Sequence, residues 1–171
     1  MKEKVKDVGV IIGRFQIDQL HEAHIDLIET VISKHKKVIV LLGVKGISPV
    51  PATKKNPLDF ETRRLMLHEK FPNLIISYVK DCGNDHVWSY QVDERISDLL
   101  GPNQSVVLYG SRDSFINHYH GKFKTTELIP SSFISATEIR KNLSLEVMKD
   151  INFRKGVIWA LNNQFDICYP T

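Results

Sequence analysis

Apolar residues along this chain follow two alternating patterns. Short apolar runs rich in β-branched residues predict buried strands at residues 8–12, 38–42, 74–79, 106–109 and 124–129. Apolar residues at helical spacing predict helices at residues 21–33, 59–70 and 87–100, and a short one at residues 115–119. This alternation predicts an α/β fold: a Rossmann-like, doubly wound, five-stranded and mostly parallel sheet with helices on both faces.

Local signals refine the predicted boundaries. Asp59 is a candidate N-cap, Gly101 and Pro102 end a helix, and the Ser135-x-x-Glu138 pattern of a capping box begins another. Three prolines predict a surface loop over residues 44–57. We expect one main domain over residues 1–143. Residues 144–171 are predicted to form a helical extension that packs on the same domain.

Composition narrows the class of protein. The chain has 171 residues, 42% of them hydrophobic and 25% charged, which is typical of one soluble globular domain. Its 23 basic and 20 acidic residues give a net charge of +3. That charge suits a small anionic ligand, but the basic residues do not cluster with aromatics as they do in nucleic-acid-binding proteins. Membrane binding is not expected, because no apolar run has membrane-spanning length.

The two cysteines, Cys82 and Cys168, stand far apart in no metal-binding or redox spacing. Two free thiols are typical of a reducing compartment, so we expect a cytoplasmic protein.

The first candidate site follows the first predicted strand. That strand ends in residues 13–16 (Gly-Arg-Phe-Gln), and the next helix opens with residues 21–24 (His-Glu-Ala-His). His21 and His24 share a helical face near a helix N-terminus, where N–H groups and the helix dipole favour an anion such as phosphate. Zinc is a rival ligand with only two protein donors. A half-buried structural histidine beside a surface histidine is the other interpretation.

The second candidate site is the predicted helix start at residues 134–140. The hydroxyls of Ser135 and Thr137 lie at that start, and Arg140 lies within its first turns. N–H groups, hydroxyls and a guanidinium can converge on phosphate oxygens. An ordinary capping box with a solvated arginine fits the same residues.

These two motifs together resemble those of the nucleotidyltransferases with the His-x-Gly-His motif. The Gly-Arg-Phe-Gln form is most similar to nicotinamide-mononucleotide adenylyltransferases of the archaeal and bacterial type. Two middle segments also look like that group: Asn56-Pro57-Leu58 with Glu61 and Arg63, and Asn84-Asp85-x-x-Trp88. The resemblance covers roughly residues 8 to 143.

The resemblance implies transfer of AMP from ATP to nicotinamide mononucleotide, which gives NAD and pyrophosphate, with Mg²⁺ accompanying ATP. It assigns catalytic roles to His21, His24 and Arg140. The ATP-binding residues that it implies are Gly13, Arg14, Phe15, Gly110, Arg112, Ser135 and Thr137. The substrate-binding residues that it implies are Asn84, Trp88, Lys45 and Arg63. Trp88 would stack on the nicotinamide ring, Asn84 would hydrogen-bond near it, and Lys45 and Arg63, like Arg14, would contact phosphate. Members of the family often form oligomers, so a homo-oligomer is possible.

Two features differ from the family pattern. Ala23 stands where the family has glycine, and four residues separate Gln16 from His21 where the family usually has two. Two alternatives therefore stay open: an adenylyltransferase for another phosphorylated acceptor (nicotinate mononucleotide or phosphopantetheine), or a nucleotide-binding regulator without turnover.

The C-terminal stretch, residues 153–160 and 169–171, resembles the junction in bifunctional proteins that join this transferase to a Nudix hydrolase domain. An ordinary C-terminal helix fits it equally well.

Overall fold

The computed structural model describes residues 5–17, 19–20, 22–45, 50–52, 58–101, 103–111, 114–129 and 168–170. The strands are β1 (Val5–Gly13), β2 (His35–Lys45), β3 (Val50–Ala52), β4 (Ile75–Asp81), β5 (Val106–Gly110), β6 (Lys124–Glu127) and β7 (Cys168–Pro170). The helices are α1 (Glu22–Lys34), α2 (Phe60–Lys70), α3 (Asp85–Leu99) and a short 3-10 helix (Phe115–His118).

Five parallel strands form the main sheet in the order β4-β2-β1-β5-β6. This confirms the predicted α/β fold and the predicted number of strands in that sheet. The chain runs outward from β1 to β2 and β4, then returns to the other side of β1 for β5 and β6. Strand order therefore reverses between β1 and β5, and sheets of this kind bind ligands beyond the carboxyl ends of their strands at that point.

The sheet has an apolar core on each face, as a doubly wound fold requires. Val38, Val40 and Leu42 of β2 belong to the cluster that includes residues of α1 and α2. Ile39 and Leu41 point to the opposite cluster, which includes residues of α3. Because successive strand residues face opposite sides, the apolar run in β2 supplies both cores.

A close approach between β1 and α1 depends on Gly9. A Cβ atom at Gly9 would lie 2.6 Å from Val31 Cγ1 and 2.7 Å from His35 Cδ2. Alanine at this position would therefore push α1 away from the sheet.

Two polar side chains set the starts of α2 and α3. Asp59 Oδ1 accepts a hydrogen bond from Thr62 N at 2.7 Å, which confirms the predicted N-cap. Asn84 Oδ1 accepts from His86 N and Val87 N at 3.0 and 3.1 Å, so α3 starts two residues before the predicted position.

A second, two-stranded parallel sheet pairs β3 with β7, with Val50 opposite Cys168. It corrects the prediction of a surface loop over residues 44–57, because β2 continues to Lys45 and β3 follows it. Residues 168–170 are a strand within the region predicted as a helical extension. The rest of that extension and the predicted capping box at residue 135 lie outside the described residues.

Cys82 is an exposed free thiol. Within the part of the chain that the structure describes, none of the helices is both long enough and apolar enough to cross a membrane.

Partly buried hydrogen bonds connect α3 to the segment that leads into β6. The Tyr119 hydroxyl donates to Asp93 Oδ1 at 2.5 Å and accepts from Phe123 N at 3.1 Å. Asp93 Oδ2 accepts from Lys122 N at 3.0 Å. The pKa of Tyr119 is raised well above that of an ordinary tyrosine. Burial of the phenol is the largest cause, and the hydrogen bond to Asp93 is the second.

Tyr119→Phe should lower the free energy of unfolding near pH 7 by about 1.5–3 kcal/mol, because the Asp93 carboxylate loses a buried donor. The folded-state pKa of Tyr119 is raised, so this stabilisation is complete below the unfolded pKa of about 10 and is lost as pH rises further. Urea denaturation should therefore show a gap between wild type and variant that narrows above about pH 10. Tyr90→Phe is the control, since Tyr90 is 65% exposed. Equal losses in both variants would contradict the assignment.

Candidate functional site

A cleft of about 720 Å³ lies at the carboxyl ends of the main-sheet strands. Its walls come from the turn after β1, from α1, from the ends of β2 and β4, from the start of α3 and from the residues around the 3-10 helix. The residues that line it include Gly13, Arg14, Phe15, His24, Gly43 and Asp81, together with Asp85, Trp88, Ser111, Ser114, Phe115 and His118. The cleft lies where strand order reverses, as expected for this topology.

The turn after β1 has an unusual backbone at Phe15. Its φ angle is 48°, in the left-handed region that a bulky residue rarely adopts. The Phe15 side chain is buried, and its ring centroid lies 5.1 Å from that of His24. A Cβ atom at Gly13 would lie 2.9 Å from the Phe15 ring. Glycine at position 13 therefore leaves room for the ring to fold back toward α1.

The Arg14 side chain crosses the end of β2 and reaches Asp81 at the end of β4. Its Nη2 donates to Asp81 Oδ2 at 2.6 Å, and a Cβ at Gly43 would lie 3.5 Å from both side chains. Both side chains are partly exposed, so the ion pair contributes little to stability. Its effect is local, because it places one cation and one carboxylate in the cleft wall.

Two buried polar side chains, Arg63 and Gln16, fix this turn by hydrogen bonds to the backbone. Arg63 Nη1 donates to Arg14 O and to Gly43 O, each at 2.8 Å, and Arg63 Nε donates to Asp59 O at 3.0 Å. Gln16 Nε2 donates to Leu58 O at 3.0 Å, and Gln16 Oε1 accepts from Leu58 N at 2.8 Å. The guanidinium of Arg63 is thus directed at the backbone. The sequence predicts that Arg63 contacts substrate phosphate. In the structure its guanidinium donates to backbone carbonyls of the cleft wall, and the substrate contact stays a prediction.

The opposite wall contains Trp88. Its half-buried indole lies 6.1 Å from the Phe115 ring and 6.5 Å, edge-on, from the Tyr119 ring (centroid distances). Asp85 Oδ2 contacts His118 Nδ1 at 3.0 Å beside it. Trp88 therefore packs in an aromatic cluster and also faces the cleft.

The structure brings together five of the predicted site residues in the cleft wall: Gly13, Arg14, Phe15, His24 and Trp88. Lys45 is exposed at the last position of β2, where its backbone lies opposite that of Asp81 in β4. Gly110 is buried at the end of β5, and a Cβ there would lie 2.9 Å from the Phe115 ring. His21, Arg112, Ser135, Thr137 and Arg140 lie outside the described residues, so their roles stay predictions.

The sequence motifs give no site role to Asp81, Asp85, Ser114 or His118, which also line the cleft. Asp81 is the last residue of β4, and its position at the carboxyl end of a parallel strand is a signal that could have identified it. The other three depend on how α3 packs beside the 3-10 helix, which periodicity does not show.

The hydroxyl of Ser114 is buried in the cleft wall. Among the described residues, its Oγ atom has no hydrogen-bond partner. Ser89 differs, because its Oγ donates to Asp85 O at 2.6 Å and accepts from His120 N at 2.9 Å.

Comparison with solved structures supports the fold. The chain is similar to a bifunctional NMN adenylyltransferase/ADP ribose pyrophosphatase from Francisella tularensis, with 20% identity, a TM-score of 0.69, and coverage of 93% of this chain and 56% of that one. A complex of that protein with AMP and a manganese ion matches with a TM-score of 0.68. A NadR protein in complex with NAD and AMP-PNP matches with 22% identity, a TM-score of 0.60, and coverage of 81% of this chain and 42% of that one.

The chain thus has the fold of NMN adenylyltransferase domains, which confirms the resemblance at the level of the fold. It spans little more than half the length of the Francisella tularensis chains. No protein-family model matches the sequence.

Ser114→Ala should leave the free energy of unfolding unchanged or raise it by up to about 1 kcal/mol, because a buried hydroxyl without a partner is removed. Ser89→Ala is the matched variant and should lose about 1 kcal/mol, because two hydrogen bonds disappear. Chemical denaturation of the ligand-free protein measures both. An equal loss in the two variants would show that the Ser114 hydroxyl contributes to the fold.

Proposed function

We propose that the protein is an adenylyltransferase that moves AMP from ATP to nicotinamide mononucleotide, giving NAD and pyrophosphate. The observation that carries this proposal is a single cleft with two different walls. One wall has the turn after β1, Arg14 and His24; the other has the exposed face of Trp88. The first suits phosphates, and the second suits an aromatic base. The complexes of the similar structures, which contain AMP, NAD and AMP-PNP, support the same ligand class.

The proposed reaction needs no strong base. The mononucleotide phosphate is already an anion near neutral pH. Its oxygen attacks the α-phosphorus of ATP, a new P–O bond forms, and the bond to pyrophosphate breaks with its electron pair. Catalysis then consists of positioning the two nucleotides and stabilising charge. We assign charge stabilisation at the α-phosphate to His24, with His21 and Arg140 as expected partners.

The remaining phosphate contacts also follow from the resemblance. Arg14 and Lys45 lie at the carboxyl edge of the sheet and are proposed to contact phosphate. Ser135 and Thr137 are expected to hold the leaving pyrophosphate together with Arg140, and Arg112 is expected to contact ATP.

A divalent cation is expected to come with ATP. Among the described residues, no three His, Cys, Asp or Glu side chains form a group that could hold a metal ion. From the chemistry of Mg²⁺ with ATP, we propose that Mg²⁺ enters as the ATP complex, held mainly by phosphate oxygens and water. When bound, it would neutralise phosphate charge. Asp81 is a described carboxylate beside this turn, because its Oδ2 accepts a hydrogen bond from Arg14 Nη2 at 2.6 Å.

The direct test is formation of NAD from ATP, Mg²⁺ and nicotinamide mononucleotide by the purified protein. Parallel reactions contain nicotinate mononucleotide or phosphopantetheine, and calorimetry measures ATP binding. Turnover with another acceptor alone would replace the proposed acceptor and keep the ATP half of the site. ATP binding without turnover in any reaction would favour a nucleotide-binding regulator.

His24→Ala should lower kcat by about 10²–10³-fold, because a preorganised donor to the transition state is lost. Steady-state kinetics with saturating ATP and mononucleotide measures this effect. His68→Ala is the control, since His68 is exposed on α2, and it should retain wild-type kcat. A loss below about fivefold in His24→Ala would be too small for the donor role.

Trp88→Ala should raise the KM for nicotinamide mononucleotide about tenfold or more and change the KM for ATP little, because base stacking contributes about 1–3 kcal/mol. Trp88→Phe preserves an aromatic ring beside Phe115 and Tyr119, so it should restore most of the mononucleotide affinity. Initial-rate kinetics with each substrate varied in turn measures both KM values. Equal rises in the two KM values would indicate that Trp88 acts only through packing.

A further inference from the structure

We propose that Arg63 and Gln16 form a buried clamp that fixes the turn after β1, and that Arg63 is a positioning residue for adenylyl transfer. This inference rests on the proposed function and adds a role that the resemblance does not assign. The resemblance makes Arg63 a phosphate contact, whereas in the structure its guanidinium donates to backbone carbonyls of the cleft wall.

Arg63 joins three separate segments of the chain. Its Nη1 donates to the carbonyls of Arg14, after β1, and Gly43, within β2, each at 2.8 Å, while its Nε donates to Asp59 O at 3.0 Å. Arg63 is only 2% exposed. A guanidinium presents several donors in a fixed plane, and a lysine ammonium is a single point on a flexible stem. Lysine at position 63 therefore could not bind all three carbonyls in this geometry.

Gln16 holds the other side of the same turn. Its amide donates to Leu58 O at 3.0 Å and accepts from Leu58 N at 2.8 Å, which reproduces the bonding of a paired strand residue. Gln16 is 5% exposed, so an unmade bond here would leave a buried polar group without a partner. Leu58, before α2, thus binds Gln16 at one end of the turn, while Arg63, within α2, binds Arg14 at the other.

Phe15 lies between the two clamped residues. A bulky residue keeps a left-handed backbone only where its surroundings hold it there, and Arg63 and Gln16 supply that restraint. The Phe15 ring contacts the His24 ring, and the Arg14 side chain reaches Asp81. The clamp therefore determines where two proposed phosphate-binding side chains stand. Displacement of reacting groups by about 1 Å can lower a rate about 10²-fold.

The test compares Arg63→Lys with Arg64→Lys, the neighbouring position on α2. Arg64 pairs with Glu61 and makes none of the bonds to the turn described above, so its variant controls for the loss of a guanidinium hydrogen-bond network. Three quantities are measured: kcat and KM for each substrate, the thermal midpoint, and hydrogen–deuterium exchange of peptides that cover residues 13–17. Assays run well below the thermal midpoint of each variant.

Arg63→Lys should lower kcat about 10–10²-fold, with a smaller effect on the mononucleotide KM, and speed exchange in residues 13–17. Arg64→Lys should match wild type in kcat and in the exchange of residues 13–17. A large rise in the mononucleotide KM with unchanged kcat and unchanged exchange would restore the substrate-contact role and overturn the proposal. Unchanged kcat with a lower thermal midpoint would show a role in stability alone.

A second variant keeps the test decisive if Arg63→Lys does not fold. Gln16→Glu retains the acceptor for Leu58 N and removes the donor to Leu58 O, and it should also speed exchange in residues 13–17. Wild-type exchange and kinetics in that variant would overturn the clamp. If wild type forms no NAD, the proposed function fails, whereas faster exchange at residues 13–17 in the variants would still support the clamp.

Discussion

The reversal of strand order beside β1 is the constraint on which the rest of this structure depends. From β1 the chain builds one side of the sheet with β2 and β4, then the other with β5 and β6. The segments that leave β1 and β5 therefore diverge, and a cleft opens between them at the carboxyl edge. Each side chain in the proposed mechanism that the structure describes lies at this edge, where N–H groups of helix starts can meet an anion.

Strong local patterns made the sheet and helices predictable from sequence. The β2 run could be found because apolar residues continue without interruption, as buried parallel strands require. Asp59 could be found as a cap because its residue type carries the signal. The pairing of β3 with β7 could not be predicted. Strands of three residues are too short to show an alternating pattern, and the two partners are far apart in sequence. At α3, capping decides the helix start where apolar spacing does not. Asn84 caps the helix, so α3 begins two residues before the position that the apolar pattern predicts.

The candidate site divides in the same way. Motifs indicated Gly13, His24 and Trp88, all of which the cleft contains. Arg63 shows what a motif leaves out: its charge suggested an anion, but its burial and the carbonyls around it depend on three segments meeting in space. Burial of a charged side chain is a property of the tertiary structure, and residue type alone favours the surface.

The all-parallel pairing of β1 also has a consequence for folding kinetics. Val10 pairs with Ile39 on one side and with Leu108 on the other. The pairing with Leu108 closes a much longer loop than the pairing with Ile39. More chain entropy is therefore lost before the contacts of β5 with β1 can compensate for it. The β1–β2 side can thus assemble from nearby residues, while the part of the cleft wall around the 3-10 helix needs β5 to pair with β1. A nascent chain would therefore acquire its two walls in sequence, and a nucleotide held by both could not be bound until the slower closure was complete.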